Sequence, residues 1–103
     1  MKKMSRNLTP EKIVKKLHEH KDEIRRYGVK KIGLFGSFAK GRQRKSSDLD
    51  FLVKFDNPTF DNYMELKFLL EKIFRKKVDL VTEENLKPAL SHIKEEAIYA
   101  ERL

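Results

Sequence analysis

The sequence predicts an α/β (α+β) fold, a small mixed and twisted sheet of three or four strands with helices packed on one side. Three observations predict it. Runs rich in β-branched and apolar residues occur at 29–35, 49–55 and 77–81, each bounded by Gly, Pro, Asn or charged residues. Stretches with apolar residues at helical spacing lie between and around these runs. Within the second run, Leu49, Phe51, Val53 and Phe55 form one apolar face, while Asp48, Asp50 and Leu52 form the other.

The 103 residues make one domain, with residues 1–8 read as a mobile arm. Thr9-Pro10-Glu11 is a helix start, with Thr as N-cap, Pro at the first helical position and an acid in the first turn. Ile13, Val14, Leu17 and Ile24 continue that helix to the stop at Tyr27-Gly28. His18 and His20, two apart on a helix, point to different sides and read as surface residues. Residues 29–35 form the first strand, and Phe38-Ala39-Lys40 a short helical turn after Gly36-Ser37. A loop carrying Arg42, Arg44 and Lys45 leads to the second strand, closed by the turn Asp56-Asn57-Pro58-Thr59. Phe60, Tyr63, Leu66, Leu70, Ile73 and Phe74 place residues 60–74 on an amphipathic helix whose aromatics belong to the core. Lys77-Val78-Asp79-Leu80-Val81 is a short third strand, and Thr82-Glu83-Glu84 opens another helical segment that Pro88 breaks or restarts. Leu90, Ile93, Ala97 and Ile98 give residues 89–100 a helical spacing.

Composition excludes several classes of function. With no cysteine, disulfides, thiolate zinc sites and cysteine nucleophiles are ruled out. No apolar run approaches the ~18 residues a membrane helix needs, and the basic start has no signal-peptide core behind it. The expected location is therefore cytoplasmic. The net charge of +8 favours an anionic partner, although acids are interspersed among most of the basic residues.

The chemistry concentrates in Gly36-Ser37 and Asp48-Leu49-Asp50. Two aspartates two apart on a strand share one face, roughly 7 Å apart along the backbone. Two like charges held side by side need a cation between them, and a hard divalent ion such as Mg²⁺ accepts oxygen ligands while leaving room for substrate phosphates. The Gly-Ser turn brings backbone N–H groups and a hydroxyl towards those phosphates. Asp79, lying between Val78 and Leu80, is costly in a buried strand unless ligated or paired. Beside the second strand it would stand about 4.8 Å from the Asp48/Asp50 face. Three carboxylates on neighbouring strands can hold two metal ions ~4 Å apart, as phosphoryl-transfer sites do. Lys40 and Arg44 are the candidate phosphate-neutralising cations of the loop.

With these residues laid out, the chain resembles the minimal nucleotidyltransferase family of the polymerase-beta-like superfamily. The signature is a strand, Gly-Ser, a spacer of about ten residues, Asp-hydrophobic-Asp on a strand, and a later strand with a third Asp; Gly36-Ser37, Asp48-Leu49-Asp50 and Asp79 stand at those places. The resemblance implies that Asp48, Asp50 and Asp79 are the catalytic carboxylates that bind two Mg²⁺ ions. It also implies that Asp79 helps deprotonate the acceptor hydroxyl, and that Gly36 and Ser37 hold the β- and γ-phosphates of ATP. Lys40 stands where the family commonly carries Arg, which keeps the charge but loses the bidentate fork. Family members of this size imply an antitoxin that adds AMP to a tyrosine of a HEPN-type RNase toxin, expected to present an acidic surface. Two other readings compete with this one: a binding-only antitoxin acting by occlusion, and a basic nucleic-acid-binding module. The dispersed basic residues and the aromatics read as buried argue against the last.

Overall fold

The computed structural model describes residues 8–44 and 46–100. Residues 1–7 of the expected arm and Lys45 of the loop lie outside the described residues. Leu8, also assigned to the arm, is instead a core residue, and its carbonyl accepts a hydrogen bond from Gln43 Nε2 at 3.5 Å. The Thr9 hydroxyl accepts the Lys12 N–H at 3.2 Å and caps helix α1 (Pro10–Glu19). This helix stops at His20 rather than running on to residue 27, and α2 (Lys21–Arg25) restarts it. Between Leu17 and Ile24 no apolar residue holds the chain against the core, so the polar stretch is free to bend there. A bond of 2.7 Å between the His20 ring and the Glu23 carboxylate accompanies the bend.

Strands β1 (Val29–Phe35) and β2 (Leu49–Phe55) form where the apolar runs predict them, with the short helix α3 (Ser37–Lys40) between them. Helix α4 (Phe60–Phe74) follows, capped by the Thr59 hydroxyl and ended by Arg75 in the left-handed conformation at φ 56°. Strand β3 (Val78–Thr82) comes next. The Tyr63 hydroxyl donates to the Leu80 carbonyl at 2.8 Å and pins α4 to β3.

The C-terminal segment departs from the helical expectation for residues 89–100. Two single 3₁₀ turns, Glu83–Asn85 and Pro88–Leu90, lead to a helix α5 of five residues (His92–Glu96). Strand β4 (Ile98–Tyr99) then joins the sheet. The reason is tertiary. The free edge of β1 offers unpaired backbone groups, and the β-branched and aromatic pair Ile98-Tyr99 takes them, with Ala100 N–H donating to the Ile32 carbonyl at 2.9 Å.

The sheet order is β3-β2-β1-β4, with β1 antiparallel to both β2 and β4, and β2 parallel to β3. Register assigns the two faces. Ile32, Leu34, Leu49, Phe51, Val53, Val78 and Leu80 share the face that packs with Ile13, Leu17, Leu66, Leu70 and Phe74 of the helices. On the second face lie Gly33, Asp50, Leu52, Asp79 and Tyr99. The long helices thus form the single layer expected, while the Glu83–Asn85 turn packs against β2, where Leu52 is fully buried on the second face. Among the described residues no helix is long and apolar enough to cross a membrane.

Gly33 is the point where β4 closes onto the sheet. A methyl group there would meet the Tyr99 ring at 2.8 Å (Cδ1) and 3.1 Å (Cε1). Gly33→Ala is expected to displace Tyr99 and loosen β4, costing about 1–3 kcal/mol of stability. Chemical denaturation read with hydrogen exchange at Ala100 checks this, and unchanged protection there would refute it.

Candidate active site

The site grows from the parallel pairing of β2 with β3. That register sets Asp50 directly opposite Asp79, so both side chains leave the second face from neighbouring strands. On the other side of β2, the antiparallel register sets Asp50 opposite Phe35, which places the following Gly36 against the Asp50 carboxylate. Gly36 has φ 81° and ψ −155°, a combination essentially confined to glycine. A Cβ there would fall on Asp50 Oδ2 and lie 3.0 Å from its Cγ. The glycine therefore both turns the chain from β1 into α3 and leaves room for the carboxylate.

Asp50 is half-buried, and its pKa is pushed up from the ordinary 3.8 to about 6. Burial is the largest cause, followed by the negative charge of Asp79, then that of Asp48, then a side-chain hydrogen bond with Asp79. The five ion pairs among the described residues engage Glu23, Asp56, Glu83 and Glu96, and none of them neutralises the three aspartates.

The sequence-derived candidates do not all converge equally. Asp50 and Asp79 meet; Asp48 is exposed at the entrance to β2, near enough for its charge to act on Asp50. Among the described residues, no three His, Cys, Asp or Glu side chains are grouped closely enough to hold a metal ion together. Asp79 is exposed rather than buried, because the face it leaves from is open at this end of β3. Its presence in an apolar strand therefore carries little desolvation cost. Asp50 and Asp79, with Asp48 at the entrance to β2, offer only oxygen donors, the kind that hard cations take, and the absence of a side chain at Gly36 gives the Asp50 carboxylate its place.

Ser37, half-buried, begins α3, whose first turn leaves N–H groups without helical acceptors. The exposed Lys40 side chain reaches the Glu96 carboxylate at 3.5 Å. Arg44 is also exposed; its backbone N–H donates to Ser47 Oγ at 2.7 Å, and Ser47 N–H donates back to the Arg44 carbonyl at 2.9 Å. This small turn aims the chain into β2 just before Asp48.

Sequence reasoning missed a second polar cluster on the same face. The Glu83 carboxylate, 9% exposed, accepts from the Tyr99 hydroxyl at 3.3 Å and lies 3.8 Å from Lys31 Nζ and 3.9 Å from Lys94 Nζ. The Lys31 ammonium sits 4.9 Å from the centre of the Tyr99 ring. Its signal in the sequence was the period-2 parity of Lys31 and Gly33, which becomes informative only once β4 is known to pair with β1.

With this geometry in view, comparison with known proteins is decisive. The profile of the nucleotidyltransferase domain family matches residues 12–101. The chain belongs to the nucleotidyltransferase family. It is an AMP-transferring enzyme of the minimal, MNT branch. Protein adenylyltransferase MntA of Thermococcus cleftensis is 41% identical to this nucleotidyltransferase over 86 residues, covering 82% of this chain and 87% of that protein. A solved minimal nucleotidyltransferase superposes with a TM-score of 0.77 at 33% identity, over 89% of this chain and 96% of that one. A complex of a tri-AMPylated Shewanella oneidensis HEPN toxin with its MNT antitoxin shares the fold, with a TM-score of 0.65 at 18% identity over 92% of this chain and 74% of that one.

Proposed function

We propose that this nucleotidyltransferase is a Mg²⁺-dependent protein adenylyltransferase antitoxin that moves AMP from ATP to a tyrosine hydroxyl of a HEPN-type toxin. The observation that carries the reading is the pairing of Asp50 with Asp79 beside Gly36. Carboxylates pressed together, with Lys30, Lys31, Lys40 and Lys94 paired to other acids, are what a divalent-ion site requires, and the raised pKa of Asp50 has the matching sign. The name borne by the Thermococcus relative and the AMPylated toxin held by the Shewanella antitoxin support the acceptor class.

In this reading Asp48, Asp50 and Asp79 hold the metal. Bound Mg²⁺ supplies charge neutralisation and polarisation at the phosphates. Gly36 and Ser37 cradle the triphosphate through backbone N–H groups and the Ser37 hydroxyl. Asp79 accepts the proton of the tyrosine hydroxyl. The oxygen then bonds to the α-phosphorus, the bond to the β-phosphate bridge breaks, and pyrophosphate leaves with that electron pair. The rigid strands β2 and β3 keep the carboxylates in place, which suits a reaction that needs positioning and charge more than covalent help. Exposed Lys40 and Arg44 add positive potential near the phosphates, and Lys40 must leave Glu96 to touch them. The net charge of +8 favours an acidic toxin surface.

The test is the intact mass of a co-expressed toxin incubated with the enzyme, ATP and Mg²⁺. Mass gains in steps of one AMP are expected, with the modified tyrosine found by peptide mapping. A stable complex with no mass gain would overturn transfer and leave neutralisation by occlusion.

A further inference from the structure

One cation beside the site has no part in the chemistry described so far. Lys77 immediately precedes β3, and contacts on both sides fix the backbone that carries it. Its carbonyl accepts the Leu49 N–H at 3.0 Å, which starts the ladder between β2 and β3. The Val78 N–H donates to Glu71 Oε2 at 3.1 Å. The Lys76 ammonium lies 5.7 Å from the centre of the Phe38 ring of α3. Val78 is buried on the helical face, so alternation sets the exposed Lys77 on the face of Asp79. Two residues of strand separate Lys77 from Asp79, about 7 Å. One register step back from Leu49 and Val78, Lys77 stands across from Asp48.

Helix termination does not account for this cation. Arg75 caps α4, which leaves Lys77 beyond the last turn and outside the reach of the helix dipole. Nor does a surface pair: neither Lys77 nor Asp48 takes part in the ion pairs among the described residues. An exposed pair between them would in any case be weak. Lys40, by contrast, is engaged with Glu96. We infer, on the strength of the AMP transfer proposed above, that Lys77 is a catalytic residue gripping a non-bridging oxygen of the α-phosphate. In that reaction Gly36 and Ser37 hold the outer phosphates from the β1 side, and Asp79 takes the acceptor proton on β3. The α-phosphorus passes between them, on the side where Lys77 stands, and the long flexible stem of lysine spans the gap. The ammonium donates a hydrogen bond and keeps its protons. The tyrosine oxygen bonds to phosphorus, the phenol proton goes to Asp79, and pyrophosphate leaves with the electron pair. A cation held at the phosphoryl oxygens stabilises that transfer.

Rates of toxin modification with ATP and Mg²⁺, read for Lys77→Met and Lys77→Arg, test this. Lys77→Met keeps the stem and loses the charge, and should lower kcat/KM for ATP about 10–100-fold. Lys77→Arg should restore most of it. Titration calorimetry, which needs no turnover, should show ATP binding to Lys77→Met weakened several-fold. The wild-type preference between the two α-thio diastereomers of ATP should shrink in Lys77→Met, because sulfur replaces the oxygen that the ammonium holds. Lys77 is exposed, so the melting temperature should not change. Wild-type rates in Lys77→Met overturn the inference. A loss confined to KM for the toxin, with ATP binding unchanged, also overturns it and assigns Lys77 to toxin docking. A diastereomer preference kept in full overturns it too, by moving Lys77 to another phosphate. An unmutated chain that transfers nothing fails at the proposed function itself and takes this inference with it.

Discussion

Asp50→Asn is expected to abolish AMP transfer while raising the stability of the metal-free chain at neutral pH. Transfer should fall by at least roughly 10²–10³-fold, because the amide keeps the shape but removes the charge that holds the metal. Stability should move the other way. Asp50 titrates near 6 in the folded chain against an ordinary 3.8, so the folded state holds this proton more tightly than the unfolded one. That contribution is fully present below about pH 4 and is lost as pH rises through about 6. At pH 7 the ionised carboxylate therefore works against folding, by about 1 kcal/mol once solvent screening of a half-buried group is allowed for. The asparagine side chain can still donate to Asp79, as protonated Asp50 does. Thermal melts in the presence of a chelator should show the variant melting higher at pH 7, with the gap closing towards pH 4. A lower melting temperature at pH 7 would mean that Asp50 has a stabilising partner, and the metal-site reading would lose its electrostatic basis.

Gly36→Ala should cost both activity and stability. The backbone at φ 81° and ψ −155° is strained for any residue with a Cβ, and the new methyl group would collide with the Asp50 carboxylate, 3.2 Å from its own Cβ. A loss of about 2–4 kcal/mol is expected, together with loss of transfer, since relief of the clash must move Asp50 or unseat α3. Gly41→Ala is the control. It also has positive φ, 71°, but a Cβ there meets nothing within 4 Å, so only about 1 kcal/mol of strain is expected and transfer should survive. Denaturant unfolding and the mass assay on both variants check the pair. Equal effects at the two positions would show that backbone strain, and not crowding of Asp50, is what matters at Gly36.

Much of the site was legible because its signals are local. Asp48 and Asp50 sit two apart in a run whose alternation is unambiguous, and β2 formed with the boundaries expected. Gly36-Ser37 ends β1 where the apolar run ends. The errors fall where neighbours distant in sequence decide. Leu8 looked like part of an arm until the core claimed it, and Ile98-Tyr99 looked helical until the edge of β1 offered it hydrogen bonds. Nor does the loop sequence show that Glu96, remote in the chain, stands 3.5 Å from Lys40. Phe60, read as core, is exposed, and neither it nor Phe68 carries a local sign of which side of α4 the core will use.

The sequence by itself determined the strand alternation, the glycine turn, the all-oxygen character of the candidate site and the family to which the chain belongs. These depend on residue type and spacing along one element, where backbone geometry imposes periods of 2 and 3.6. Only the tertiary structure decided that β2 and β3 run parallel with Asp50 opposite Asp79, that Asp79 is exposed, and that the last strand closes the sheet at Gly33. Pairing partners and burial depend on contacts between segments far apart in the chain, and their free energies outweigh the small local preferences that a sequence pattern records.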